Sequence, residues 1–155
     1  MRLVLDASVV LKWYVPESDS TIALALRDWI HARARQVVAP RFFYIEAASI
    51  LWKKQVLRHE LSPELARQML DEIRHLTLHV VEDQFLLAQA YAIAGHYLIT
   101  PYDALYIAAA VEENCPLVTA DEALIRKLKN HPHADSLMKL SDWKKLQSPQ
   151  ECSSK

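Results

Sequence analysis

The chain has 155 residues, of which 52% are hydrophobic and 24% are charged, and its formal net charge at pH 7 is −1. This length and composition suit one globular domain with a sizeable core, and they exclude a disordered chain. The lack of a basic excess does not exclude nucleic acid as a partner, because cations held in an acidic site supply positive charge of their own.

The cysteines and the first residues bear on the compartment of the protein. Cys115 and Cys152 form neither a disulfide framework nor a zinc motif. The opening residues, MRLVLDASVVLKWYV, include Asp6 and Lys12, so they lack the uninterrupted apolar segment of a signal peptide. No apolar run approaches the ~20 residues of a membrane-spanning helix. These features predict a reduced, soluble, cytoplasmic protein.

Short apolar strands alternate with helices along the chain. We predict strands over residues 2–5, 37–39, 77–81, 117–118 and 137–140. We predict helices over residues 9–14, 20–35, 42–57, 63–75, 83–94, 101–113 and 121–129. This alternation indicates a mostly parallel central sheet of about five strands with helices on both faces, which is a three-layer α/β/α fold. We expect one domain over residues 1–146 and a polar C-terminal tail over residues 147–155.

Local signals mark the ends of several predicted helices. Ser62 followed by Pro63 is typical of a helix start, with the serine as N-cap and the proline at the first helical position. Asp83 is predicted to cap the helix after the third strand. Gly95, the only glycine in the chain, is predicted to end that helix in a left-handed conformation, which glycine adopts without steric cost.

Three aspartates lie where predicted helices begin. Asp6 follows the first strand, Asp121 follows the fourth, and Asp103 lies in the first turn of the helix over 101–113. Sites in open parallel sheets lie at the carboxyl ends of the strands, so Asp6 and Asp121 are expected at one edge. Each aspartate has a plainer interpretation as a helix cap. Asp103 fits a capping box with Thr100, and Asp121 fits a second first-turn acid beside Glu122.

Glu46 is not explained by capping. It lies on a helix that is apolar on both broad faces, with Phe43 at i−3 and Ile50 at i+4. A carboxylate in such surroundings is costly unless it is paired or bound to a metal. An ion pair with Lys53 or Arg41 is the simpler interpretation, and a metal site is the alternative.

Several carboxylates that converge at one edge repel one another and need protons or cations between them. Oxygen ligands without a nearby histidine or thiol favour Mg²⁺ or Mn²⁺ over zinc. Such a metal activates water and stabilises charge on a phosphodiester. Ser8 and Thr119 are placed to orient a carboxylate or a water by hydrogen bonds.

Four segments stand out in this order along the chain: LDASV, PRFFYIEAA, PYDALYIAAA and LVTADEAL. Together they resemble the PIN-domain nucleases, in particular the VapC-like toxins of toxin–antitoxin pairs, over roughly residues 3–140. The resemblance implies that residues 1–146 form a PIN-like domain. It implies that the catalytic and metal-binding acids are Asp6, Glu46, Asp103 and Asp121. It also implies that Thr119, and more loosely Ser8, are supporting hydroxyls.

The resemblance has consequences for cofactor, substrate and partners. It implies Mg²⁺- or Mn²⁺-dependent endoribonucleolytic cleavage of RNA. It further implies a homodimer, and an antitoxin protein whose peptide segment fills the groove of the site. A PIN nuclease that is not a toxin remains an open alternative.

Two other classes of function remain open. A phosphotransferase is compatible with Asp6 after the first strand, but a HAD-like phosphatase needs a second aspartate two residues on, where this chain has Ser8. A PIN-like fold kept only for binding is the other alternative, and the four intact acids argue against it. Dinucleotide binding is excluded because a single glycine cannot form a GxGxxG loop.

Basic and aromatic side chains are further candidates for RNA contacts. The candidates for phosphate contact are Lys12, Lys53, Lys54 and Arg58, although a solvated face is the simpler interpretation. The candidates for base stacking are Trp13, Tyr102 and Tyr106. Of these three, we expect Tyr106 to pack in the core.

Overall fold

The computed structural model describes residues 2–14, 19–33, 36–129 and 137–147. Five strands form one sheet in which every neighbouring pair is parallel. They are β1 (Leu3–Leu5), β2 (Val37–Pro40), β3 (His79–Val81), β4 (Leu117–Thr119) and β5 (Leu137–Lys139). Their order across the sheet is β3-β2-β1-β4-β5.

Helices connect successive strands, as parallel pairing requires. They are α1 (Ala7–Leu11), α2 (Ser20–Ala32), α3 (Phe43–Trp52), α4 (Pro63–Arg74), α5 (Asp83–Tyr97), α6 (Pro101–Glu112) and α7 (Glu122–Leu128). A 3₁₀ segment, Leu140–Gln147, follows β5. The architecture is the predicted three-layer α/β/α fold. No helix in the described ranges is long and apolar enough to cross a membrane.

The chain reverses its path across the sheet between β1 and β4. It moves from β1 through β2 to β3, returns to β4 beside β1, and continues to β5. The two central strands are in register with Val4 opposite Leu117 and Leu5 opposite Val118. Open parallel sheets bind ligands outside the carboxyl ends of the strands at such a switch point. The fold therefore directs attention to the residues that follow Leu5 and Thr119.

The three central strands of the sheet, β2, β1 and β4, and the middle of α6 are buried. All three residues of β1 and all three of β4 are buried. In α6 every residue from Ala104 to Ala110 is buried, and most of them are alanines. These small side chains let α6 pack closely on α5 and on the sheet. Close packing fixes the position of the α6 residues that lie nearest the switch point.

The predicted helix starting at Ser62 is confirmed in detail. The Ser62 hydroxyl oxygen accepts the N–H of Leu65 at 3.2 Å, and Pro63 is the first helical residue. The predicted helix over 42–57 is confirmed in extent, but its last five residues, Lys53–Leu57, are a π-helical segment. The N–H of Arg58 accordingly donates to the carbonyl oxygen of Lys53 at 3.0 Å.

The predicted C-cap at Gly95 is wrong. Helix α5 continues through Gly95 to Tyr97, and the left-handed C-cap residue is Leu98, with φ of 54°. The N–H groups of Leu98 and Ile99 both donate to the carbonyl oxygen of Ala94, which closes the helix three residues later than expected. The end is therefore set by how the chain turns back toward α6 and not by the glycine.

The predicted capping role of Asp83 is also wrong. Asp83 is the first helical residue of α5, and the cap position belongs to Glu82, whose side chain makes no cap hydrogen bond. The Asp83 carboxylate instead accepts the backbone N–H of Phe42 at 3.1 Å. This contact ties the start of α5 to the start of α3, two elements that lie far apart in sequence.

Candidate active site

The carboxyl ends of β1 and β4 lie side by side, and an acid follows each. Asp6 directly follows β1, and Asp121 follows β4 after one intervening residue. The N–H of Asp6 donates to the carbonyl oxygen of Val118 at 3.1 Å, which joins the two strand ends. Asp6 and Asp121 thus share the edge of the sheet that their positions predicted.

Asp6 is buried, at 7% exposure, and its two carboxylate oxygens have different partners. Oδ1 accepts the backbone N–H of Ser8 at 3.1 Å and so caps α1. Oδ2 accepts the hydroxyl of Ser8 at 2.9 Å and the hydroxyl of Thr119. Capping therefore accounts for one oxygen, and the two predicted supporting hydroxyls orient the other.

Backbone amides fix the direction in which the two hydroxyls donate. The N–H of Ala120 donates to Ser8 Oγ at 3.1 Å, and the N–H of Asp121 donates to Thr119 Oγ1 at 3.0 Å. Because each hydroxyl oxygen already accepts an amide proton, its own proton is available to Asp6. Thr119 is fully buried, whereas Ser8 is partly buried.

The surroundings of Asp6 oppose its negative charge. Burial raises the pKa of Asp6 above its ordinary value, and the hydrogen bonds from Thr119 and Ser8 offset only part of that rise. The charge of Asp121 raises the pKa further. A buried carboxylate of this kind is stabilised by a bound proton or by a nearby cation.

Asp121 is the N-cap of α7, which corrects the prediction that it is a first-turn acid. Its Oδ1 accepts the N–H of Ala123 at 2.8 Å and that of Leu124 at 3.0 Å. Glu122 is the first helical residue and does not occupy a capping-box position. Helix α7 begins at Glu122, one residue later than predicted, and β4 extends through Thr119, one residue further than predicted.

Glu46 projects from α3 toward α6. Its Oε2 accepts the hydroxyl of Tyr106, whose ring is buried at 2% exposure. Among the described residues Glu46 forms an ion pair with neither Lys53 nor Arg41, the two predicted partners, and Arg41 pairs with Glu82. Tyr106 is thus both the core residue that the sequence predicted and the hydrogen-bond donor that holds Glu46.

Glu46 lies within electrostatic range of all three aspartates. Burial is the main cause that raises the pKa of Glu46 to about 7, against an ordinary value of 4.5. The hydrogen bond from Tyr106 lowers the pKa, and the charges of Asp6, Asp103 and Asp121 raise it. Burial and the charge of Glu46 raise the pKa of the Tyr106 phenol far above its ordinary value, so that phenol stays a donor.

Asp103 lies in the first turn of α6 and forms the predicted N-terminal cap with Thr100. Its backbone N–H donates to Thr100 Oγ1 at 3.1 Å, and the Thr100 hydroxyl donates to Asp103 Oδ2 at 2.8 Å. The hydroxyl thus orients one carboxylate oxygen directly, a contact that the sequence analysis did not anticipate. The sequence signal for this hydrogen bond was the position of Thr100 as N-cap, directly before Pro101 at the first helical position.

The donor set at this edge fits a hard divalent cation. All four predicted ligands are carboxylates, which are the side chains that Mg²⁺ and Mn²⁺ prefer. Burial first, and the charges of neighbouring carboxylates second, raise the pKa values of Asp6 and Glu46, so a cation beside them would favour their charged forms. Within the described residues, no three histidine, cysteine, aspartate or glutamate side chains already form a ready-made metal cage.

The basic candidates for RNA contact have acidic neighbours of their own. Lys54 pairs with Glu60 at 2.7 Å, and Arg58 lies 3.8 Å from the same carboxylate. Lys12 lines a cavity of about 140 Å³ that reaches Thr119, but the lining mixes lysines with acids. Three of the four basic candidates therefore lie beside acidic side chains.

The three aromatic candidates differ in accessibility. Trp13 and Tyr106 are buried, at 5% and 2% exposure, whereas Tyr102 is 58% exposed. Tyr102 directly precedes Asp103 and stacks on Phe42, with ring centroids 4.9 Å apart and planes 14° from parallel. Only Tyr102 of the three is therefore accessible to a ligand.

Comparison with known proteins gives concordant matches. The family model described as PIN domain matches residues 3–130. Ribonuclease VapC3 of Pyrobaculum aerophilum is 29% identical over 130 residues, which covers 82% of this chain and 95% of that protein.

Solved structures show the same fold at lower identity. The crystal structure of PAE2754 from Pyrobaculum aerophilum has a TM-score of 0.64 at 22% identity and covers 91% of this chain and 90% of its own. VapBC2 from Rickettsia felis, solved bound to a DNA fragment from their promoter, has a TM-score of 0.58 at 15% identity and covers 90% of this chain and 98% of its own. A toxin–antitoxin complex from Klebsiella pneumoniae has a TM-score of 0.55 at 13% identity, with coverage of 89% and 97%.

Proposed function

The chain belongs to the PIN domain family, and from this premise we propose that it is an endoribonuclease that uses Mg²⁺ or Mn²⁺ to hydrolyse RNA phosphodiester bonds. One observation carries the proposal. Asp6, buried at the switch point and oriented by two hydroxyls, shares its electrostatic surroundings with three further carboxylates. Burial and mutual repulsion disfavour the charged forms of these carboxylates, and a cation bound between them would offset both effects.

The residues that would hold the metal are Asp6, Glu46, Asp103 and Asp121. When bound, a divalent cation at such a site supplies an activated water and offsets charge on the leaving oxygen. The chain contributes the positions of the ligands. Ser8 and Thr119 hold Asp6 Oδ2, Tyr106 holds Glu46 Oε2, and Thr100 holds Asp103 Oδ2.

We further propose that the protein is the toxin of a VapBC-type pair. The support is the similarity to Ribonuclease VapC3 and the fold shared with proteins solved in toxin–antitoxin complexes. This proposal includes an antitoxin protein as partner, a homodimer and a cytoplasmic location, where RNA substrates are present.

The test is cleavage of a panel of structured and single-stranded RNAs by the purified protein with Mg²⁺, with Mn²⁺ or with EDTA. We expect discrete cuts that require metal. Asp6→Asn and Asp103→Asn should each lower the rate more than about 100-fold, because loss of a ligand should exceed the 10–100-fold effects typical of residues that only orient ligands. Asp28→Asn, which changes an exposed acid of α2, is the matched control and should cleave normally.

Circular dichroism of each variant separates lost chemistry from lost folding. Full activity of both site variants in the presence of Mg²⁺ would contradict the proposal. Activity that persists in EDTA, or hydrolysis of small phosphate esters in place of RNA, would contradict it as well.

A further inference from the structure

Helices α3 and α6 meet through two contacts that are one helical turn apart. In the inner contact, the Tyr106 hydroxyl donates to Glu46. In the outer contact, Phe42 stacks on Tyr102. Each partner of the outer contact precedes its counterpart by four residues, a rise of about 6 Å along each helix. The stacked pair therefore lies next to the acidic group, on the side where both helices begin.

The ring of Tyr102 is supported on one face and open to solvent. Phe42 covers one face in a parallel stack, and the tyrosine remains 58% exposed. Phe42 is itself anchored, because its backbone N–H donates to the carboxylate of Asp83 at 3.1 Å. An exposed aromatic ring held flat in this way gives a fixed surface on which a second flat group can stack.

Resting on the proposed nuclease function, we propose that Tyr102, backed by Phe42, is a stacking platform for an unpaired RNA base next to the phosphate held at the acidic site. Asp103 directly follows Tyr102, so a nucleotide whose phosphate lies at the carboxylates places a neighbouring base within reach of the ring. Stacking on an aromatic side chain is sequence-tolerant, because every base has a π face. A base within a duplex has both faces covered, so the platform selects single-stranded or looped RNA.

The test compares Tyr102→Phe, which keeps the ring, with Tyr102→Leu, which keeps apolar bulk without it, and with Tyr102→Ala. The probe is a single-stranded RNA carrying 2-aminopurine, titrated with Ca²⁺ in place of Mg²⁺ so that binding is measured without cleavage. We expect Tyr102→Phe to bind and quench like the wild type. Tyr102→Leu and Tyr102→Ala should bind about 10-fold more weakly and lose the quenching.

A scan with abasic RNAs gives the second arm of the test. A single abasic nucleotide at the stacking position should weaken wild-type binding by the same factor. On that RNA the Tyr102→Ala variant should show no additional loss, because the contact is already absent. Binding to duplex RNA should be the same for all four proteins.

Three outcomes would overturn the platform. The first is that Tyr102→Ala binds RNA with wild-type affinity, and the second is that every abasic RNA loses affinity equally. The third is that Tyr102→Ala changes the molar mass in light scattering without a base-specific loss of binding. That result would place this ring between two copies of the chain. A cleavage assay of the wild type in Mg²⁺ distinguishes failure of this inference from failure of the nuclease proposal. Binding with intact stacking but no cleavage would contradict the nuclease alone, whereas no RNA binding at all would contradict both.

Discussion

The capping role of Asp6 is compatible with its proposed role as a metal ligand. Its Oδ1 satisfies the N–H of Ser8 at the start of α1, while Oδ2 receives the hydroxyls of Ser8 and Thr119. A carboxylate has about four lone-pair sites, so these three hydrogen bonds do not exhaust its capacity to accept. The cap orients the group, and its remaining capacity is what a cation would use.

Glu46 should make the stability of the metal-free protein depend on pH. Its pKa is about 7 in the folded chain and 4.5 in the unfolded reference. Between these values the folded state holds a proton that the unfolded state has released, so the free energy of unfolding falls as pH rises through this window. Glu46→Gln removes the contribution and should be more stable than the wild type at pH 8 in EDTA, by up to about 3 kcal/mol.

Urea unfolding of wild type and variant in EDTA, from pH 4.5 to pH 8, measures this difference. The two proteins should differ little at pH 4.5, where the glutamate is protonated in the folded state and half protonated in the unfolded state, and they should diverge up to about pH 7. Glu112→Gln, which changes an exposed acid of α6, is the control and should leave the profile unchanged. A wild-type advantage over Glu46→Gln at pH 8 would show that the carboxylate is stabilised by a partner other than a proton.

The site residues differ in how far the sequence predicts them. Asp6 and Asp121 follow apolar strands, so the rule for open parallel sheets places them at one edge. The hydrogen bond from Tyr106 to Glu46 joins residues 60 positions apart in sequence. It depends on how α3 and α6 are rotated against each other, which local patterns do not encode. The sequence therefore predicted the acids and one pair of hydroxyls but not the phenol that orients Glu46.

At the scale of elements, the end of α5 gives a direct test of local rules. Gly95 lies inside the helix, and a Cβ at this position would meet no atom within 4 Å. Gly95→Ala should therefore raise the free energy of unfolding by about 0.5–1 kcal/mol, because alanine has the higher helix propensity. Urea denaturation measures the change, and RNA cleavage should be unaffected.

Leu98→Gly is the matched variant. Leu98 has a left-handed backbone, with φ of 54°, and glycine adopts this conformation without the steric cost that a Cβ carries. We expect it to be neutral or stabilising despite the loss of an exposed side chain. Destabilisation by Gly95→Ala would instead show that Gly95 ends the helix, as the sequence rule predicted.

The prediction that Gly95 ends α5 is wrong for a physical reason. Glycine favours a helix end only where the chain must turn, and here the turn toward α6 comes three residues later. The Ala94 carbonyl oxygen accepts two N–H groups there, from Leu98 and Ile99. By contrast, Ser62 and Pro63 were predicted correctly, because an N-cap hydrogen bond is satisfied entirely within the first turn.

At the scale of the molecule, alternation along the chain predicts a parallel sheet but not the order of its strands. The pairing of Val4 with Leu117 brings together residues more than 100 positions apart, and no local signal specifies that partner. The strand order nevertheless decides where the candidate site lies, because it puts the switch point between β1 and β4. The strand order was not predicted from local signals. The resemblance of the four motifs to the PIN-domain nucleases implied instead that the four acids form one site.

The proposed homodimer can be tested by substituting an exposed apolar side chain of α5. Its outer surface exposes large apolar side chains, with Phe85 at 75%, Leu87 at 62% and Tyr91 at 76% exposure. Leu87 and Tyr91 are four residues apart and are therefore neighbours on one face of the helix. Exposed apolar side chains of this kind are typical of an interface between chains. A charge buried without a partner in a dimer interface is strongly unfavourable, so Tyr91→Glu should convert a dimer to a monomer in light scattering at micromolar concentration. Leu57→Glu, which alters a 59% exposed side chain of the π-helical segment, should stay dimeric, and a monomeric wild type or equal dissociation of both variants would contradict an interface on α5.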